Sequence, residues 1–85
     1  MMTILILGAN GFIGNALVEK LCKNSKYDIY AMDLSSNNLD KFIEYSNFTF
    51  VEGDININSE WIEYHVKKCD IIIPLVWKKM KSIKP

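Results

Sequence analysis

Arginine is missing from all 85 residues, and every one of the ten positive side chains is a lysine. Ten acids balance them, leaving no net charge. Without a positive field, general binding to nucleic acid or to an anionic membrane has no electrostatic basis. Cysteine is scarce: Cys22 and Cys69 stand far apart, in no metal or redox spacing, and read as free thiols packed near element ends. The one histidine, His65, falls in a helical pattern and reads as a partly packed helix residue. Long apolar runs are also missing. The longest, Ile71 to Trp77, contains Pro74 and falls far short of the ~20 residues a bilayer requires. The opening Met1-Met2-Thr3 has no charged segment or cleavage site, which predicts no signal peptide and a cytoplasmic location.

What is present is an ordinary globular composition, 49% hydrophobic and 24% charged. A chain this short makes one small domain, burying only about 60–65% of its unfolded surface, so its stability is marginal.

Three of the four glycines fall together, and the chain is organised around them. The apolar run Ile4-Leu5-Ile6-Leu7 has the length and branching of a buried strand. Gly8, Gly11 and Gly14 follow at a spacing of three. Ile13, Leu17 and Leu21 then predict one face of a helix running from about Gly11 to Lys23. Strand, glycine turn and helix in that order predict a phosphate-binding turn. Gly8 lets the chain leave the strand, Gly11 admits a pyrophosphate to the backbone, and Gly14 lets the helix pack closely. The free N–H groups and positive end of the helix then face the anion.

Downstream, Asp28 to Asp33 predicts a second strand ending in an acid. Nineteen residues past Gly14, Asp33 stands where a carboxylate meets the 2′- and 3′-hydroxyls of an adenosine ribose. A carboxylate there repels a 2′-phosphate, and no arginine exists to accept one, so the reading is NAD over NADP. The competing reading of Asp33 is a solvated strand-end acid capping Ser35-Ser36. Leu39, Phe42 and Ile43 predict a short second helix, and Phe48 to Val51 a third strand. Asp54 and Ile55 follow that strand, beside the adenine in a sheet of this kind, though Asp54 alone would be an ordinary turn acid. Asn58-Ser59 predicts the cap of a third helix carrying Trp61, Ile62, His65 and Val66, and Asp70 to Leu75 a fourth strand buried on both sides. This alternation predicts an α/β Rossmann fold: a parallel sheet of about four strands, ordered 3-2-1-4, with three helices. The first two helices cover one face and leave the third nearly alone on the other. The fourth strand is then an exposed edge prone to self-association. Residues 1–77 make the dinucleotide-binding unit, and the lysine-rich 78–85 is expected to be a disordered tail.

The stretches ILGANGFIG, the Asp33 strand end, FVEGDI and CDIIIPLV resemble the extended short-chain dehydrogenase/reductase family over residues 3 to about 76. Within that family, EGDI with SEWIEYHVKKCDIIIPLV is similar to one branch, the UDP-glucuronate decarboxylase domain of a bifunctional polymyxin-resistance enzyme that serves aminoarabinose modification of lipid A. The glycine pattern is specific only to the superfamily; Trp61 to Val76 points to the branch.

The resemblance implies NAD held by Gly8, Gly11, Gly14 and Asp33, with Asn10, Phe12 and Ile13 beside the pyrophosphate. It puts Asp54-Ile55 at the adenine and Pro74-Leu75-Val76 past the middle of the cofactor. The family carries its catalytic Ser/Thr and Tyr-x-x-x-Lys pair later in the chain. Here Trp77-Lys78-Lys79 replaces the family's small residues, and the sequence stops at Pro85. Tyr64 and Lys68 copy the spacing, but on a helix upstream of the catalytic one, and read as a surface or packing pair. No catalytic residue is therefore assigned.

The expectation is the N-terminal, NAD-binding portion of a nucleotide-sugar dehydrogenase/decarboxylase, inactive alone and meeting its nucleotide sugar only in a full-length relative. The alternatives are a non-enzymic dinucleotide-binding module or a non-functional gene remnant.

Overall fold

A computed structural model describes residues 1–54 and 57–75. Four strands form one parallel sheet in the order β3-β2-β1-β4, namely β1 Met2–Leu7, β2 Tyr27–Asp33, β3 Phe48–Glu52 and β4 Ile71–Pro74. Helices α1, Phe12–Cys22, and α2, Ser59–Lys68, join them. This is the expected sheet order, with one difference. The predicted second helix is a single 3-10 turn, Asp40–Phe42. Leu39 and Phe42 are buried beneath it, but Ile43 is exposed, so its apolar pattern is satisfied by one turn and supports no second.

β1 is the central strand, and Ile4, Leu5, Ile6 and Leu7 are all buried. Their side chains alternate between two cores, as period-two geometry requires. Ile4 and Ile6 pack with Ile29, Ala31 and Phe48 under α1 and the 3-10 turn; Leu5 and Leu7 pack with Met32 under α2. The two faces are unequally covered, as expected. α1 buries Gly14, Val18 and Cys22, whereas α2 buries no residue fully and rests on the sheet through half-buried Trp61 and Ile62.

Three expectations are corrected here. The buried stripe of α1 runs Gly14–Val18–Cys22, with Leu17 and Leu21 flanking it, and Ile13 faces out at 66% exposure. Gly14 can sit innermost because its missing side chain lets the first turn approach, which rotates Ile13 outward. Second, β4 is not buried on both sides: Ile71 and Pro74 are exposed and Ile72 and Ile73 only half-buried, because only the β1 flank is paired among the described residues. Third, Asn58 stands at the N-cap of α2 but makes no capping bond. Its Oδ1 instead accepts the Asp54 N–H at 2.7 Å, closing the loop after β3. Val76, Trp77 and the expected disordered tail 78–85 lie outside the described residues.

Candidate functional site

The residues singled out in the sequence gather at the edge where the strands end. β1 runs out at Leu7, and Gly8 turns the chain with φ of 89°, a conformation that favours glycine. The turn is pinned to the end of β2: the Gly8 N–H donates to the Met32 carbonyl at 2.8 Å. Two residues on, the Asn10 N–H donates to Asp33 Oδ2 at 2.8 Å, and Asp33 Oδ1 accepts the Leu34 N–H at 2.7 Å. The carboxylate that sequence spacing singled out thus touches the glycine turn directly. It caps Leu34 rather than Ser35-Ser36, and each oxygen keeps a second lone pair.

The three glycines answer to different constraints. Gly14 is demanded by packing, since a Cβ there would lie 2.4 Å from the Ala9 carbonyl oxygen. The close approach is therefore between the helix and the turn itself. Gly8 is demanded by its φ. Neither reason applies at Gly11, which has φ of −78° and, among the described residues, nothing within 4 Å of the point a Cβ would occupy. Gly11 is also the N-cap of α1, and among the described residues no side chain caps that helix or partners its first N–H groups. Phe12 and Ile13 follow it, exposed, on the first turn.

The rest of the edge falls into place around this turn. The Gly53 N–H donates to the Asp33 carbonyl at 2.9 Å, which sets Asp54 next to the end of β2. The Leu75 N–H donates to the Leu7 carbonyl at 2.8 Å, carrying the β4 pairing up to the glycine turn from the other side. Gly8, Asn10, Gly11, Phe12, Ile13, Gly14, Asp33, Asp54 and Leu75 therefore share one edge, while Ile55 lies outside the described residues. A groove borders this edge between α1 and the segment after β2. Gly11, Phe12, Asn15, Glu19, Asp40 and Lys41 line it among others, so among the described residues its single cation accompanies two acids.

Sequence reasoning missed a set of asparagines. Asn10, Asn15, Asn37 and Asn38 bond to one another across 23 to 28 residues of sequence. The run Ser35-Ser36-Asn37-Asn38 signals a turn in the sequence, but nothing there reveals which residue it turns against.

The Tyr64–Lys68 pair forms, but away from the glycine turn. Lys68 Nζ donates to the Tyr64 hydroxyl at 3.2 Å, a bond that raises the lysine pKa above its usual value. Lys68 lines a small hollow with Thr3, Asp28, Tyr30, His65 and Cys69, at the edge where β1 and β2 begin. That edge is opposite the glycine turn. His65 is half-buried and stacks on Trp61 with ring centroids 4.0 Å apart, its Nδ1 3.0 Å from the Trp61 carbonyl oxygen, a packed helix residue as expected. Among the described residues no group of three or more His, Cys, Asp or Glu side chains could hold a metal, and no helix is long and apolar enough to cross a membrane.

Comparison with known proteins agrees with this geometry. Residues 4–83 match the model of the NAD dependent epimerase/dehydratase family. The PbgP3 protein of Burkholderia pseudomallei superimposes with a TM-score of 0.82 at 45% identity, over 88% of this chain and 22% of its own. A dTDP-glucose 4,6-dehydratase of Bacillus anthracis in complex with NAD gives 0.75 at 30% identity, over 92% and 27%. A UDP-glucuronic acid 4-epimerase of Bacillus cereus, in complex with UDP-glucuronic acid and NAD, gives 0.76 at 30%, over 87% and 26%. The chain thus spans about a quarter of the length of these solved relatives. With its glycine turn, strand-end acid and sheet order, the chain belongs to the NAD dependent epimerase/dehydratase family.

Proposed function

We propose that this chain binds NAD along the strand-end edge, as the adenosine and pyrophosphate half of a nucleotide-sugar oxidoreductase site. One observation carries the reading: the fold requires glycine at positions 8 and 14 but has no use for it at 11. Open space above Gly11 and uncapped N–H groups behind it suit a pyrophosphate. In this reading the Asp33 carboxylate takes the ribose hydroxyls and disfavours a 2′-phosphate, Asp54-Ile55 flank the adenine, and Leu75 lies towards the middle of the cofactor. Bound NAD supplies the hydride-accepting chemistry; the residues here hold and orient it.

For the sugar, we infer a UDP-glucuronate-decarboxylating relative of the aminoarabinose pathway of lipid A, from the resemblance of Trp61 to Val76. The complex of the Bacillus cereus epimerase with UDP-glucuronic acid is consistent with that substrate class. Among the described residues only the β1 flank of β4 is paired, which supports pairing of the other with another copy or with a partner chain.

Calorimetric titration of NAD into the full chain tests the reading. Expected affinity is millimolar, about −4 kcal/mol, because the described edge supplies contacts to one half of the dinucleotide. Gly11→Val is expected to remove binding and leave the fold intact. Unchanged binding by that variant would overturn the site.

A further inference from the structure

Among the described residues Asn10 makes four hydrogen bonds, and each ties the glycine turn to something beyond it. Its main-chain N–H goes to Asp33. Its side-chain Oδ1 accepts the Asn38 N–H at 2.9 Å, and its Nδ2 donates to Asn37 Oδ1 at 3.0 Å. Its carbonyl accepts from Asn38 Nδ2 at 2.9 Å, closing a two-bond ring between the two asparagines. Asn15, on the first turns of α1, donates through Nδ2 to the Asn38 carbonyl. Segment 34–38 is neither strand nor helix, and its own bonds are short-range, with Asn37 Oδ1 also accepting the Ser35 hydroxyl at 3.0 Å. Its far end is anchored by buried Leu39 and Phe42.

The side-chain bonds of this bracket are solvent-exposed. Exposed hydrogen bonds replace bonds to water and add little stability, so the core and not the bracket holds the fold. What the bracket does is fix geometry. Without it, segment 34–38 would have to be ordered each time a dinucleotide bound, and that ordering subtracts from affinity. A fixed segment beside Asp33 also leaves less room for a bulkier ribose.

We propose that Asn10 is a positioning residue for the dinucleotide: by holding segment 34–38 against the glycine turn it keeps the ribose subsite formed in the free protein and sharpens the preference for NAD over NADP. This rests on the dinucleotide reading above.

The test uses the full chain and its Asn10→Ala, Asn38→Ala and Asn37→Ala variants. NAD and NADP are titrated by calorimetry, thermal unfolding is followed by circular dichroism, and amide exchange is measured over residues 34–38. Asn10→Ala keeps the main-chain bond to Asp33 and loses both side-chain bonds. It is expected to weaken NAD about tenfold, lower the NAD-to-NADP affinity ratio severalfold, and speed exchange in segment 34–38, with the melting midpoint nearly unmoved. Asn38→Ala opens the ring from its other side and is expected to speed the same exchange. Asn37→Ala removes a single exposed partner of Asn10 and is expected to shift the ratio in the same sense, more weakly. Native NAD affinity in Asn10→Ala, or an unchanged ratio in both Asn10→Ala and Asn37→Ala, overturns the positioning role alone. A parent chain that binds neither dinucleotide overturns the dinucleotide reading, and the positioning role with it.

Discussion

A Cβ on Gly14 would stand 2.4 Å from the carbonyl oxygen of Ala9, and main chain cannot swing aside as a side chain can. Gly14→Ala must therefore lift α1 off the turn. The expected cost is about 3 kcal/mol or more, a large share of what so small a domain has. The melting midpoint should fall by on the order of 15 °C. Gly11→Ser makes the informative contrast. Its hydroxyl can cap α1, so stability should hold or rise, while NAD binding is lost to a group occupying the N–H cluster. Equal destabilisation by the two changes would contradict the separate roles assigned to these glycines.

Asp33 holds the turn and, in the proposed reading, also takes the ribose, which shapes the outcome of replacing it. Asp33→Asn keeps one carbonyl acceptor for the Asn10 or Leu34 N–H and removes the charge. NAD affinity should drop modestly, while NADP affinity should hold or improve, narrowing the preference. NADP binding as tight as NAD in the parent chain would contradict the role given to Asp33.

No turnover of UDP-glucuronate is expected from this chain. Its one tyrosine–lysine pair at the right spacing, Tyr64 and Lys68, lies at the strand-start edge, away from the glycine turn. NADH formation followed by its absorbance, and lost in Tyr64→Phe, would reverse that conclusion.

Burial pushes the Cys22 thiol up to about 11, from a usual value of 9.0. The folded state thus holds its proton more tightly than the unfolded chain. Stability from this group is fully present below pH 9 and is lost as pH rises from 9 towards 11. Cys22→Ala should show a shallower alkaline loss of stability than the parent, measured by urea unfolding across that same range. Cys69, only half-buried, should react with iodoacetamide before Cys22 does.

The β4 edge should govern association. Ile71 is 39% exposed there, whereas Ile72 packs against the Leu5 and Leu7 core. Ile71→Lys should therefore disrupt edge pairing at little cost in stability. Sedimentation is expected to show dimers or larger species for the parent and a shift towards the 9.8 kDa monomer for the variant. A parent that is already monomeric would exclude pairing through β4.

Much of this fold was legible because its signals are local. Four apolar residues before Gly8 announced a central strand, and the alternation of periods gave the sheet order. Asp33 was legible because the distance from the glycine turn to the end of β2 is set by one helix and one return. The errors share a cause. Ile13 and Ile43 were assigned inward on helical spacing, but a close approach at Gly14 and a single 3-10 turn decided their directions. Asn58 looked like a cap and instead reaches back to Asp54. The Asn10–Asn38 ring spans 28 residues and leaves no periodic trace. Side-chain bonds between loops depend on where the sheet brings those loops, which a linear pattern does not encode.

β1 lies between partners of very different remoteness. β2 joins it 25 residues along, pairing Met2 with Tyr27. The other flank is closed by the Asp70 carboxylate on the Thr3 N–H and by Leu75 on Leu7, 67 and 68 residues away. Every bond of the Asn10 bracket to Asp33, Asn37 and Asn38 falls within the first 38 residues. As the chain leaves the ribosome, then, the glycine turn can assemble while the strand beneath it still lacks its second neighbour. The earliest strand to be made is the last to be enclosed, its second flank waiting on partners 67 and 68 residues further along.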